Sequence, residues 1–118
     1  HARVLENILE MVECDFALSD QFGNKSYIKN ALMDKGKKIK LEQRPKAEQN
    51  LAVAAASILA RKIYIQRMDK MSQKYEIIFP KGASQKVIKQ GKKFVQKHGK
   101  DKLNLVAKMH FKTTQKII

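Results

Sequence analysis

The stretch that decides the fold is Arg44–Arg61, RPKAEQNLAVAAASILAR. It combines a long apolar run with five alanines between Ala52 and Ala60, and Pro45 stands where a helix tolerates proline in its first turn. The pattern predicts a long helix that begins near Pro45 and runs towards Lys74. Because small side chains allow close packing, we expect the front of this helix to lie tightly against a sheet.

Further helices and two short strands are expected on either side. The order of elements predicts an α/β chain, rich in helix, with two short strands and about five helices. Two strands alone do not make a stable sheet, so residues 1–118 are predicted to be the second half of a single α/β domain whose other strands lie upstream. Apolar spacing predicts the remaining helices at 4–12, 26–32, 84–97 and 102–109, and the strands at 16–19 and 38–41.

Charge is distributed unevenly along the chain. Residues 1–60 carry nine basic and eight acidic side chains, a net +1, whereas residues 61–118 carry sixteen and three, a net +13. Such a basic half favours a polyanionic partner, because lysines that meet phosphates release counterions. The alternative is a lysine-rich surface that serves only solubility.

The cysteine count and the lack of a long apolar run bear on the cellular location of the protein. A single cysteine, Cys14, permits no internal disulfide, and this favours a reducing, cytoplasmic location. No apolar run approaches the roughly 20 residues that span a bilayer, so no membrane association is expected.

Two carboxylates occupy informative positions. Asp20 follows the first predicted strand, at the edge where open α/β sheets bind ligands, and Glu48 follows the second. If the strands are neighbours, both side chains meet at one rim of the sheet, where hard oxygen donors suit Mg²⁺ or Mn²⁺. The alternatives are structural: Glu48 would complement the dipole of the long helix, and Asp20 would cap the following loop.

Two basic segments are candidates for phosphate contact. Residues 80–84, PKGAS, combine a lysine, a glycine that allows close backbone approach, and the start of a helix behind them. An ordinary helix start with Ser84 near the cap explains the same residues. Residues 89–100, KQGKKFVQKHGK, are typical of a solvated helix face and would also suit a surface that follows a nucleic-acid backbone.

Four separated motifs carry a family resemblance. KAEQNLAVAAASILAR, at 46–61, resembles the signature of the type 2 ribonucleases H. Glutamate after Lys-Ala, together with three further motifs, is similar to the bacterial ribonuclease HIII branch of that family. Those motifs are DFALSDQF at 15–22, FPKGAS at 79–84 and VAKMHFKTT at 106–114.

The resemblance implies the carboxyl-terminal part of a ribonuclease H-like fold and cleavage of the RNA strand of RNA–DNA hybrids. It implies a two-metal mechanism with Mg²⁺ or Mn²⁺ that leaves 3′-hydroxyl and 5′-phosphate ends, one ion activating the water and the other stabilising the leaving oxygen. Asp20 and Glu48 would be two of four metal-binding carboxylates. The expected contacts to the nucleic acid are Lys46, Arg61, Lys81, Gly82 and Ser84.

The chain departs from the family pattern in one large respect. The other two carboxylates of the family lie in an Asp-Glu-x-Gly motif, which this sequence does not contain, and the amino-terminal substrate-binding domain is also absent. We therefore expect a fragment whose missing amino-terminal half is its partner and which has little activity alone. The alternative is a non-catalytic, basic nucleic-acid-binding module.

Overall fold

The computed structural model of the chain describes residues 1–21 and 23–118; Phe22, the last residue of the 15–22 motif, lies outside the described residues. The described part contains five α-helices, two strands and three short 3₁₀ helices. The helices are α1 (Ala2–Met11), α2 (Ser26–Ala31), α3 (Leu51–Tyr75), α4 (Gln85–His98) and α5 (Lys112–Gln115); the strands are β1 (Phe16–Asp20) and β2 (Lys40–Arg44); the 3₁₀ helices are Gly36–Lys38, Ala47–Gln49 and Lys100–Leu105.

The prediction that the long helix begins near Pro45 is wrong. Lys46 adopts a left-handed backbone conformation with φ 55°, which an α-helix cannot contain, and a separate 3₁₀ helix follows at Ala47–Gln49. The helix α3 begins only at Leu51, where the Oδ1 atom of Asn50 accepts a hydrogen bond of 3.0 Å from the Ala52 amide. Asn50 therefore caps the helix, as its short polar side chain favours.

Two other boundaries also differ from the predictions. The predicted helix at 102–109 is wrong: the chain forms the 3₁₀ helix Lys100–Leu105 and, later, the short α5. A 3₁₀ turn closes after fewer residues than an α-helix, and it buries Leu103 to 1% exposure here. The strand predicted at 38–41 lies at Lys40–Arg44, because Gly36–Lys38 is taken up by another 3₁₀ helix.

Residues 1–60 form one compact unit around the parallel pair of strands. The register pairs Phe16 with Lys40 at one end and Asp20 with Arg44 at the other. The connection through α2 and Gly36–Lys38 returns the chain to the end of the sheet where β1 began, so that β2 can run in the same direction, as a parallel pair requires. Ile28 and Leu32, which are 5% and 6% exposed, form its small apolar core.

A buried acid holds this crossover in place. Glu6, on α1, is only 6% exposed. Its Oε1 atom accepts hydrogen bonds from the amides of Met33 at 2.8 Å and Gly36 at 2.6 Å. A Cβ at Gly36 would overlap this carboxylate and the Leu32 side chain, so the turn needs glycine for close approach.

Residues 61–118 form the second compact unit, whose core is aromatic. Phe94 on α4 is fully buried, and the ring of Tyr75 lies edge-on to it with centroids 5.2 Å apart. Phe79 and His98 complete the cluster, and a ring nitrogen of His98 lies 3.1 Å from the Tyr75 carbonyl oxygen. Such edge-to-face pairs stabilise a core beyond their buried area.

The alanine-rich front of α3 does not pack as expected. No described residue of α3 is buried, and Leu51, Ile58 and Leu59 are 85%, 71% and 61% exposed. Among the described residues, the alanines at the front of this helix are therefore not enclosed in a core. As for membranes, no helix in residues 1–21 and 23–118 combines the length and apolar character that crossing a bilayer requires.

Candidate metal site

The site begins at the carboxyl end of β1, where Asp20 is exposed. Its backbone pairs in register with Arg44, the last residue of β2. Its Oδ1 atom accepts a hydrogen bond of 3.2 Å from the amide of Ala47. The carboxylate of the first strand therefore contacts the chain just after the second strand ends.

The turn that follows β2 brings the backbone of Glu48 to the same rim. Left-handed Lys46 redirects the chain, and Ala47 then buries its methyl group to 1% exposure. A larger side chain would not fit this seat against β1 without displacing the 3₁₀ helix. Because Glu48 is the next residue, the hydrogen bond between Asp20 and Ala47 fixes the peptide that carries it.

Neither carboxylate has a basic partner among the described residues. Arg44 lies beside Asp20 in the sheet, yet its Nη1 atom is 3.8 Å from Oε1 of Glu42, and this is its ion pair. Glu48 is exposed, and within the described residues its carboxylate has no hydrogen bond or ion pair. Among the described residues, no lysine or arginine neutralises either carboxylate, so both are candidates for binding a cation.

The donor set fits part of a hard-metal site. Mg²⁺ and Mn²⁺ bind through one or two carboxylates and keep other positions for water and phosphate oxygen. In residues 1–21 and 23–118 no group of three or more His, Cys, Asp or Glu side chains is placed to hold a metal. Asp20 and Glu48 can thus supply two oxygen ligands but not a complete protein cage.

The predicted nucleic-acid contacts fall in both compact units. Lys46 is exposed in the first unit, directly before Ala47 and Glu48. Arg61, Lys81, Gly82 and Ser84 are exposed in the second unit.

The 79–84 turn supplies the start of α4. Ser84 is the N-cap residue of this helix, as the alternative of an ordinary helix start expected, but its side chain makes no capping hydrogen bond. Gly82 has φ 87°, a conformation that L-residues rarely adopt, and nothing lies within 4 Å of where its Cβ would be. The turn is therefore open, with its lysine, its hydroxyl and its backbone accessible to solvent.

Sequence reasoning missed the residues that position the site. It expected the alanines after Leu51 to pack the helix against a sheet, whereas Ala47, before the helix, is the buried alanine. Asn50 was also missed as a cap, although asparagine directly before an apolar helical run is an ordinary N-terminal signal. The assignment of Asp20 and Glu48 to a metal stays a prediction, and the local contacts of Ala47 and Asn50 were not predicted.

The family of the chain is shown by comparison with known proteins. The family model described as Ribonuclease HII matches residues 2–114, and the chain belongs to this family. Within it, the chain is 41% identical to ribonuclease HIII of Chlamydia caviae and 38% identical to ribonuclease HIII of Protochlamydia amoebophila. The chain spans only about 40% of the length of these relatives, while they match 99% and 100% of it.

A solved structure supports the same assignment at the level of the fold. The protein in the "Crystal structure of Bst-RNase HIII in complex with Mn2+" is 29% identical, with a TM-score of 0.81 over 99% of this chain and 40% of that one. The chain therefore has the fold of the carboxyl-terminal part of a ribonuclease HIII. The expectations of family and fold class drawn from the four motifs are confirmed.

Proposed function

We propose that the protein carrying this chain is an endonuclease that cleaves the RNA strand of RNA–DNA hybrids by metal-dependent hydrolysis, leaving 5′-phosphate and 3′-hydroxyl ends. The observation that carries the proposal is the hydrogen bond from Ala47 to Asp20, which sets Glu48 beside the carboxyl end of β1. Membership of the ribonuclease HII family supports the same reaction class. The cytoplasm is its expected location, on the ground of Cys14 alone.

Asp20 and Glu48 are the proposed metal-binding residues. The Ala47 amide occupies one oxygen of Asp20, which orients the carboxylate and leaves the other oxygen open. Neither carboxylate is neutralised by an ion pair among the described residues. Divalent ions, Mg²⁺ or Mn²⁺, when bound there would supply the activation of water and the neutralisation of charge on the phosphate. The similar Bst protein was solved with Mn²⁺.

The remaining proposed residues act on the substrate backbone. Lys46 stands directly before the seat of Ala47, so its amine would neutralise a phosphate near the rim of the sheet. Arg61 would act in the same way from the start of the second unit. In the open 79–84 turn, the Lys81 amine, the Gly82 backbone and the Ser84 hydroxyl would contact the hybrid.

The chain by itself is proposed to be inactive. It contributes two carboxylates, whereas a two-metal site needs more protein ligands than these. The partner that completes the site is the preceding part of the same enzyme, since the chain spans about 40% of its relatives. The test is therefore a fusion of this chain to that preceding part of a ribonuclease HIII relative.

The fusion should cleave the RNA strand of a labelled hybrid in Mn²⁺ or Mg²⁺ and should lose activity in EDTA. Asp20→Asn keeps an oxygen for the Ala47 amide but removes the charge, so activity should fall by about a hundredfold or more, the scale of losing a charge-stabilising group. Glu48→Gln should have a similar effect. Asp34→Asn, an exposed acid in a turn, is the matched control and should retain activity.

Full activity in Asp20→Asn would show that the metal assignment is wrong. The basic second unit, with a net +13, supports the alternative of a non-catalytic nucleic-acid-binding module. That alternative predicts duplex binding without any metal requirement and no cleavage by the fusion. Cleavage that depends on Asp20 excludes it.

A further inference from the structure

The exposed side of α4 carries a row of lysines, Lys86, Lys89, Lys93 and Lys97, here called the lysine stripe. At 100° per residue these four lie within about 80° of arc, on a single side of the helix. From Lys86 to Lys97 the stripe extends about 16 Å along the axis. Gly91 and Phe94, which are buried, occupy a different side.

The stripe has almost no compensating negative charge. The helix α4 contains five lysines and no acid, and residues 81–118 contain eleven lysines and one acid, Asp101. Of the four lysines in the stripe, only Lys97 has an ion pair among the described residues, with its Nζ atom 2.7 Å from Oε2 of Glu76. An ordinary solvated helix face alternates charges, because like charges three or four residues apart destabilise a helix. Lys86, Lys89 and Lys93 therefore repel one another without any internal partner.

We propose that the lysine stripe binds the phosphate backbone of a nucleic-acid duplex. The inference rests on the proposed function for the identity of the duplex, the RNA–DNA hybrid. One strand of a B-form duplex presents a phosphate about every 3.4 Å along its axis, so a straight run of about 16 Å faces roughly five phosphates. A linear row of amines matches such a row of charges and relieves the repulsion within the helix.

The other side of α4 argues against a membrane surface as the partner. Helices that bind membranes insert an apolar face between the lipids. The apolar side of α4 is already committed, because Phe94 is fully buried in the aromatic cluster with Tyr75, Phe79 and His98. The exposed amines of Lys86, Lys89 and Lys93 have no ion pair among the described residues, and they suit a polyanion.

The test measures binding of the 118-residue chain to a short labelled RNA–DNA hybrid in EDTA, over a salt series. The variant is Lys86→Gln with Lys89→Gln and Lys93→Gln. Since each lost phosphate contact lowers the salt slope by about 0.9, the slope should fall by about 3 and the affinity by at least about tenfold.

The control removes the same charge from exposed lysines outside the stripe: Lys35→Gln, Lys37→Gln and Lys38→Gln. It should bind much more tightly than the stripe variant. Equal losses in the two variants would overturn the inference, because net charge alone would then explain binding.

Two further measurements separate contact from structure. Because glutamine keeps helix propensity and relieves repulsion, the stripe variant should melt at or above the temperature of the parent chain. Replacing Lys86, Lys89 and Lys93 by arginine should restore binding. A lower melting temperature, or no rescue by arginine, overturns the inference.

Other outcomes distinguish the partner and the enzyme. Binding to anionic phospholipid vesicles as tight as to the hybrid, and equally lost in the stripe variant, would overturn the duplex as partner. In the fusion, the stripe variant should raise KM at nearly constant kcat. Suppose that the fusion does not cleave the hybrid, and that the stripe variant still binds the hybrid more weakly than the parent chain. The proposed function then fails and the lysine stripe stands. If the fusion cleaves the hybrid and the stripe variant leaves KM unchanged, the proposed function stands and the lysine stripe fails.

Discussion

The two compact units of this chain differ in what holds them together and in what they present to solvent. The first, residues 1–60, is nearly neutral and depends on polar contacts made at single points, those of Glu6 and Asp20. The second, residues 61–118, has an aromatic core around Phe94 and a lysine-rich surface.

The two units therefore differ in the function that each one suits: positioning metal ligands or binding a phosphate backbone. A directed hydrogen bond holds a side chain in one orientation, as a metal ligand requires, and Asp20, the proposed ligand, is held in this way. A surface that follows a phosphate backbone needs charge at a regular spacing and only a stable support beneath it. The first unit therefore suits chemistry and the second suits binding.

The largest effect should come from the core of the second unit. Phe94→Ala removes a fully buried ring, and the free energy of unfolding should fall by about 3 to 5 kcal/mol. Chemical denaturation measures this, and hydrogen exchange should show the loss mainly in α4. Phe111→Ala, at a ring that is 49% exposed, is the control and should cost much less. Equal loss of protection in β1 and β2 would contradict the separation of the units.

The corresponding test of the first unit is Glu6→Ala. It leaves the amides of Met33 and Gly36 without their acceptor, and the expected loss is about 1 to 3 kcal/mol. Glu10→Ala, on the same helix but exposed, should change stability little. If the two variants unfold alike in denaturant, the buried acid does not hold the crossover.

A smaller effect is expected at the turn that carries Glu48. The left-handed conformation of Lys46 costs an L-residue about 1 to 2 kcal/mol. Glycine removes that cost, but it makes the unfolded chain more flexible, and this lowers the free energy of unfolding by about 0.5 to 1 kcal/mol. Lys46→Gly should therefore raise the free energy of unfolding by about 0.5 kcal/mol. Lys46→Ala removes the same amine and keeps the Cβ, so it should not stabilise. A gain of equal size in both would show that strain is not the cause.

The smallest effect concerns the ion pair of Glu76 and Lys97. The hydrogen bond from the Lys97 ammonium, and then its charge, lower the pKa of Glu76. A carboxyl group with a lowered pKa stabilises the folded state at pH values above its ordinary pKa. That stability is lost as the pH falls through the lowered pKa. Both side chains are exposed, so only a slight change is expected. Thermal melts across acidic pH should show this slight loss of stability in the parent chain and not in Glu76→Gln. The control, Glu13→Gln, should behave like the parent.

Several parts of the fold and site could be predicted from sequence. Apolar spacing predicted β1, α2 and α4 closely. In the two helices, Ile28 and Phe94 belong to the apolar pattern and are buried. The motifs predicted the family, and Asp20 and Glu48 were singled out by their positions after strands. The assignment of these two residues to a metal stays a prediction.

Local pattern could not predict the start of α3. Helix propensity favours a helix from Pro45 onwards, but Ala47 gains burial against β1 and its amide gains Asp20 as an acceptor. Those contacts join residues 27 positions apart in the chain, which no local pattern records. Burial of Glu6 was missed for the same reason, since its partners lie at Met33 and Gly36.

The sequence by itself determined the charge of the second half, the family motifs and the residue types that can bind a metal or a phosphate. Only the tertiary structure decided which alanine seats the turn before Glu48, which acid is buried and which lysines of α4 share a side. The reason is physical: composition and spacing fix what a side chain can do, whereas contacts between distant segments fix where its atoms lie.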